Sequence, residues 1–337
     1  MSFLLSDYDY LLPEGMIALK PTSPRSDSKL FVYDRKTDRV SHSKTGDLCD
    51  FLPSDYAVIF NNSKVIKARL FGKKQSGGKI EILIARETEN GVLALIKGKA
   101  RKGNRLIFDC DLSAEVLSVD LNGDRLLGFY EADKAIGFSR LIEIADLIGV
   151  TPLPPYIKRA ANAKDEKNYQ SCFAKVSGSV AAPTASLHFD SPLLERVRSR
   201  YKWAEITLHI GLGTFKAVET EDIRNHKMHS EYYTIGEEAK NIIDSKTPIL
   251  AVGTTAARTV EYYARTRKIS GECDLFLYPQ NPPRRINALM TNFHLPKSTL
   301  FMLVCSMIGA RKTKELYNIA IANNYRFYSY GDAMLII

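Results

Sequence analysis

Between residues 69 and 130 the chain is cut at nearly even intervals by paired turn residues, and this limits its fold more than any other feature. Gly77-Gly78, Asn90-Gly91, Gly103-Asn104 and Asn122-Gly123 separate short runs at 79–84, 92–96, 105–108, 114–119 and 125–130. Such dipeptides favour tight hairpin turns, because glycine and asparagine adopt positive φ at little cost. Short strands joined this way predict a small antiparallel β-barrel or sandwich. The segment contains no histidine and offers little acid–base chemistry.

From Thr151 the rhythm changes. Helices are expected at 191–200, 236–245, 255–267, 298–309 and 312–323, with strands at 203–210, 248–252, 274–278 and 286–290. Ser191-Pro192 reads as a cap followed by proline at the first helical position. Strands alternating with helices predict an α/β layered domain. Residues 57–60 are apolar and strand-like, and the first sixty residues match this half better than the strand-rich middle. The expected organisation is therefore a discontinuous α/β domain, 1–68 and 151–337, with a β-barrel domain inserted at 69–150.

Lys and Arg total 47 against 38 Asp and Glu, a net charge of +9 that favours an anionic partner. Cys49, Cys110, Cys172, Cys273 and Cys305 are odd in number and far apart. That pattern fits neither a disulfide framework nor a structural zinc site, and reduced thiols in a cytoplasmic protein are expected. The first ten residues carry Asp7 and Asp9 and do not read as a signal peptide. The most apolar run, 300–308, is far shorter than the roughly 20 residues a membrane span needs.

Five of the six histidines lie between His188 and His294. Each sits in a polar or glycine-bearing segment, which points to an active site. In 207–214, His209 lies in a strand that ends at Gly211, Gly213 and Thr214, where α/β proteins tend to bind ligands. In 226–231, His226, His229 and Glu231 invite acid–base work. The spacing lacks the H-E-x-x-H order of a zinc site, so no metal is expected. Gly253, Thr254 and Thr255 lie between a strand and a helix, where backbone N–H groups face anions. In 291–299, Asn292, His294 and Lys297 exceed what capping the next helix requires. Two segments suggest RNA: the basic, aromatic strip 154–159, with Lys158 and Arg159, and the aromatic run 325–332. Aromatic rings stack on bases while cations meet phosphates.

Taken together, these segments resemble the S-adenosylmethionine:tRNA ribosyltransferase-isomerase family of queuosine biosynthesis. The resemblance rests on 154–159, 178–184, 207–215, 226–231, 253–255, 291–300 and 330–334, in the family's order along nearly the whole chain. It implies an enzyme of the pentosyl-transferase class with an α/β domain and an inserted β-barrel. In the implied reaction S-adenosylmethionine gives up its ribosyl part to 7-aminomethyl-7-deazaguanine at the wobble position of tRNA. Adenine and methionine leave, and the ribose rearranges to give epoxyqueuosine. S-adenosylmethionine is then a consumed co-substrate, with no resident cofactor, and the resemblance implies a monomer. Three positions depart from the usual family pattern: Asn62 replaces an aspartate, and Ser186 and Gln280 replace glycines.

That chemistry needs a base for the acidified hydrogen beside sulfur and an acid for departing adenine. His209, His226, His229 and His294 are the candidates, with Glu231 as an orienting group. Gly211, Gly213, Thr214, Gly253, Thr254 and Thr255 are expected to hold S-adenosylmethionine, and Lys158, Arg159 and Lys297 to meet tRNA phosphates. The rival readings are a methyltransferase, a non-catalytic RNA-binding protein and a metal-dependent hydrolase.

Overall fold

The structure, a computed structural model, describes residues 3–120, 123–211, 213 and 217–337. They form two compact units. One holds the described residues up to Ser63, with Ser171–Val176 and Ala182–Ile337; the other is Lys64–Gln170 with Ser177–Ala181.

The first unit is built on a nine-stranded mixed sheet. Its strand order is Ser270–Cys273, Glu231–Ile235, Lys202–Leu208, Ala57–Asn61, Ile249–Val252, Ala288–Asn292, Ala333–Ile336, Lys29–Asp34, Arg39–Lys44. The four strands from Lys202–Leu208 to Ala288–Asn292 run parallel to one another. Ala57–Asn61, Ile249–Val252 and Ala288–Asn292 are buried at every position, as expected for strands covered on both faces.

Alternation along the strands feeds two cores. Leu30, Val32, Val58, Phe60, Leu250, Val252, Met290 and Leu335 face one core, where Leu193, Leu194 and Val197 of the helix Ser191–Arg200 join them. Phe31, Tyr33, Met334 and Ile336 face the other, against helices Thr299–Ile308 and Ala310–Ala322. The helix at Ser191 starts one residue earlier than expected from its cap, because Asp190, not Ser191, accepts the Leu193 N–H at 3.1 Å. Ser298 caps the helix Thr299–Ile308 through the Phe301 N–H at 3.1 Å. The strand expected at 274–278 instead lies at Ser270–Cys273, paired with Glu231–Ile235. Carbonyls of the expected stretch are taken by side chains, Leu275 by Arg258 and Phe276 by Asn281.

The second unit is a closed six-stranded antiparallel β-barrel with a helix. Around the ring run Arg69–Lys74, Lys79–Thr88, Gly91–Lys97, Arg125–Glu131, Leu112–Val119 and Arg105–Ile107, which pairs back with the first. Ile80, Ile82, Ile84, Val92, Ala94, Ile96, Ala114, Val116, Leu127 and Phe129 are buried. Register shifts at Ile84/Arg86 and Leu126/Leu127 give the local bends that closure needs. This unit extends beyond 69–150; the helix Phe138–Ile148 buries Leu141, Ile142, Ile144 and Ala145 within it. Among the described residues no helix is long and apolar enough to cross a membrane.

Candidate functional site at the ends of the parallel strands

Ligands of open α/β sheets bind beyond the carboxyl ends of the parallel strands. Three candidate segments of the sequence leave the sheet at that edge, 208–211, 253–255 and 292–297, together with the turn 61–63 that the sequence did not single out. Asn61, fully buried, ties that turn to the first two segments. Its Nδ2 donates to the Leu208 carbonyl at 3.0 Å and to Thr255 Oγ1 at 3.1 Å, while its Oδ1 accepts from the Leu208 N–H at 3.1 Å and the Ser63 N–H at 3.2 Å. Ser63 Oγ in turn lies 2.9 Å from Nδ1 of His209. The His209 backbone N–H donates to the Tyr232 carbonyl at 2.9 Å, so main chain and ring are both fixed. Burial lowers the His209 pKa below its ordinary value, which keeps the ring neutral and able to accept a proton near pH 7.

The glycine-bearing loop after His209 is held by a buried ion pair. The Gly211 N–H donates to Glu231 Oε1 at 3.2 Å, and the other carboxylate oxygen accepts from Arg258. Arg258 also donates to the carbonyls of Leu275 at 3.0 Å and Cys273 at 3.1 Å. Burial by itself would depress the Arg258 pKa, but the facing Glu231 carboxylate outweighs it and holds the guanidinium charged. The structure thus joins Glu231 to an arginine and a backbone amide. Sequence reasoning missed Arg258 as its partner, because 27 residues separate the two.

Gly213 must be glycine, because a Cβ there would stand 2.4 Å from Cγ of His229. His226 is half-buried, edge-on to the Phe276 ring at 5.6 Å. Its pKa is lowered first by burial and then by repulsion from His229. Thr214 lies outside the described residues. Gly253, at φ 93°, opens the helix Thr254–Thr266, and no side chain caps that helix. Its backbone angle is one that only glycine takes without strain. The first-turn N–H groups beside Thr254 and Thr255 have the polarity that suits an anion.

His294 departs from expectation. It is 4 % exposed, its Nε2 lies 2.8 Å from Thr291 Oγ1, and its N–H and carbonyl engage the hydroxyls of Tyr317 and Tyr10. Burial pushes its pKa down to about 3. A ring enclosed this way supports the strand end. His188 is similar, with Ser28 Oγ 2.8 Å from Nδ1 and Asn292 Nδ2 3.1 Å from Nε2; burial pushes it down to about 4. Lys297 is paired with Asp9 at 2.7 Å.

The two RNA-suggesting segments also divide. Lys158 is exposed, whereas Arg159 forks onto Asp165 at 2.6 and 2.7 Å, and Asp165, inside the short helix Ala163–Asn168, accepts the N–H of its cap residue Asn162 at 2.8 Å. The aromatic run 325–332 is corrected outright: Tyr325, Phe327 and Tyr330 are buried, and the first two pack against Phe293 in the core. Among the described residues no three His, Cys, Asp or Glu side chains converge on a metal position.

Two of the three departures, Asn62 and Ser186, have local reasons, and nothing in the structure explains Gln280. Asn62 Nδ2 donates to Glu205 Oε2 at 3.1 Å, and its Oδ1 accepts from Thr207 Oγ1 at 2.7 Å. An aspartate in that place would set two carboxylates side by side. Ser186 sits buried in the 3₁₀ turn Thr184–His188 without positive φ, so glycine is not demanded there.

The queuosine biosynthesis protein family model matches residues 5–336. The S-adenosylmethionine:tRNA ribosyltransferase-isomerase of Aliarcobacter butzleri is 53% identical over 333 residues, 98% of each chain. The protein of the same name from Sulfurimonas denitrificans is 52% identical over 99% of this chain and 98% of its own. A crystal structure of the S-adenosylmethionine tRNA ribosyltransferase of Thermotoga maritima is 33% identical, with a TM-score of 0.56, covering 98% of this chain and 100% of its own. On its sequence, and with a fold shared with a solved member, the chain belongs to the queuosine biosynthesis protein family.

Proposed function

We propose that this chain is an S-adenosylmethionine:tRNA ribosyltransferase-isomerase. It moves the ribosyl part of S-adenosylmethionine onto 7-aminomethyl-7-deazaguanine in the wobble position of tRNA, giving epoxyqueuosine-tRNA, adenine and methionine. The observation that carries this reading is the identity above 50% to curated enzymes of that name across almost the full length. The reaction consumes S-adenosylmethionine and calls for no resident cofactor. The chain works as a monomer in the cytoplasm.

The site geometry supports a division of labour. The sulfonium acidifies the hydrogens on the adjacent ribose carbon, and a neutral imidazole removes one. His209 suits that step: it is neutral at pH 7, and Ser63 engages Nδ1 and leaves Nε2 to exchange the proton. His226 and His229 are the candidates for moving a proton at departing adenine. Gly211, Gly213, Gly253, Thr254 and Thr255 offer backbone and hydroxyl groups to S-adenosylmethionine. Glu231 and Arg258 act through the loop they hold.

The test is to incubate the protein with S-adenosylmethionine and tRNA carrying the aminomethyl-deazaguanine, and to measure free adenine by chromatography. Adenine release that requires the modified tRNA is expected. A methylated tRNA with no adenine released would replace this reading with methyl transfer.

A further inference from the structure

The barrel unit is electrically lopsided. All six ring strands are antiparallel to their neighbours, so its turns fall at two opposite ends. One end carries 75–78, 98–104, 120, 123 and 124; the other carries 89–90, 108–111 and 132–133. The first end gathers Lys73, Lys74, Lys79, Lys97, Lys99, Arg101 and Lys102, against the carboxylates Asp120 and Asp124. The second gathers Glu87, Glu89, Asp109, Asp111, Glu131 and Asp133, against the cations Arg86 and Lys134.

Strand register places the cations side by side. Lys73 stands opposite Lys79, and Lys97 stands opposite Glu81, which is already paired with Arg69 at 2.9 Å. The loop 98–104 completes the group. It joins Gly91–Lys97 to Arg105–Ile107, strands on opposite sides of the ring, and so crosses the end of the barrel. Ala100 is buried while Lys99, Arg101 and Lys102 are exposed. The loop is fixed by main-chain bonds: Gly103 N–H to the Val116 carbonyl at 2.8 Å, and Val116 N–H to the Asn104 carbonyl at 3.0 Å. Asn104 Oδ1 accepts from the Arg101 N–H at 2.9 Å, and Lys74 Nζ donates to the Lys99 carbonyl at 3.0 Å.

Among the described residues none of these seven cations is in an ion pair, whereas Lys44, Lys67, Lys175, Lys240, Lys297 and Lys312 all are. Like charges held together on a rigid frame repel one another, and a polyanion relieves that repulsion by releasing its own counterions. We propose that this basic end of the barrel is a docking surface for the phosphate backbone of tRNA, reading charge and not sequence. The choice of tRNA rests on the function proposed above; the clustering of charge does not.

The experiment uses the full chain carrying Lys99→Glu, Arg101→Glu and Lys102→Glu together. Binding of an unmodified tRNA transcript is followed by fluorescence anisotropy from about 50 to about 200 mM salt. Affinity at low salt is expected to fall at least ~10-fold. In the milder triple alanine variant the slope of log Kd against log salt should drop by roughly 0.7–0.9 for each lost phosphate contact. In the adenine assay the KM for tRNA should rise while kcat and the KM for S-adenosylmethionine hold. Lys134→Ala, at the acidic end, should change nothing. Unchanged tRNA affinity and salt slope in both triple variants, with melting temperatures intact, would overturn the proposal. So would charge-dependent binding to phosphatidylglycerol vesicles with no effect on tRNA. The two readings separate cleanly. If the wild type binds tRNA through this end but releases no adenine, the proposed function falls and the surface stands. If adenine is released with a tRNA KM indifferent to the substitutions, the surface falls and the function stands.

Discussion

His209, His226 and His229 sit at the rim of the parallel strands, partly open and beside glycines, whereas His188 and His294 sit in the core below, each fixed to hydroxyl or amide side chains. All five belong to the same sequence neighbourhood, and burial depresses the pKa of His188, His209, His226 and His294 alike. The difference lies in what surrounds the ring. A half-buried imidazole is partly open to solvent, while a fully enclosed one serves packing and hydrogen bonding. A lowered pKa therefore does not by itself separate a reacting histidine from a structural one.

Substitution breaks this comparison most sharply. His209→Ala should lower kcat by roughly 100-fold or more in the adenine assay while the melting temperature holds. His188→Ala and His294→Ala should do the reverse, costing about 1–3 kcal/mol in denaturant unfolding with turnover per folded molecule retained. If His294→Ala abolishes turnover without loss of stability, its place in the core group is wrong.

Acid provides the second test. His188 and His294 are neutral in the fold, and each binds a proton on unfolding once the pH is below 6.5. Their folded pKa values lie below the unfolded one, so stability falls as pH drops from 6.5 toward about 4 for His188 and about 3 for His294. At pH 5 each costs about 2 kcal/mol relative to pH 7. Unfolding at a series of pH values should show this slope flattened in His188→Gln. His209 and His226 should instead set the acid limb of kcat/KM, with an inflection below 6.5.

The smallest expected effect concerns positioning. Ser63→Ala should cut kcat by about 10-fold and shift the acid limb of the rate profile, and Ser63→Thr should restore both. A Ser63→Ala enzyme with unchanged rate and profile would mean that His209 is oriented by its backbone alone.

Much of this molecule was legible in its residues, but unevenly. The barrel announced itself because hairpin turns are local: each paired glycine or asparagine states its own bend. Its closure was not legible, because the ring requires Arg125–Glu131 and Leu112–Val119 to lie between two strands that the chain joins directly. The rim histidines and Gly211, Gly213 and Gly253 stood out as polar or flexible residues at strand ends. Arg258 and Ser63 did not, since their significance comes from Glu231 and His209, which only tertiary structure brings near. The aromatic run 325–332 misled for a related reason. Tyrosine and phenylalanine read the same whether they stack on bases or on one another, and Tyr325 and Phe327 do the latter with Phe293.

The side chain of Asn61 has a consequence for how such a chain tolerates its own layout. The ladder between Ala57–Asn61 and Lys202–Leu208 ends with Asn61 opposite Ile206. Beyond that point the Asn61 amide presents a donor and an acceptor to the Leu208 main chain, as one more peptide group would. It works as an extra rung that stays in the sheet while the backbone departs. Within three residues the chain has left for the second unit, and more than a hundred residues pass before it returns. An insertion of that length would ordinarily loosen the strand end it interrupts. Here the seam is stitched by a side chain, so the rim can stay in register however the inserted segment moves or evolves.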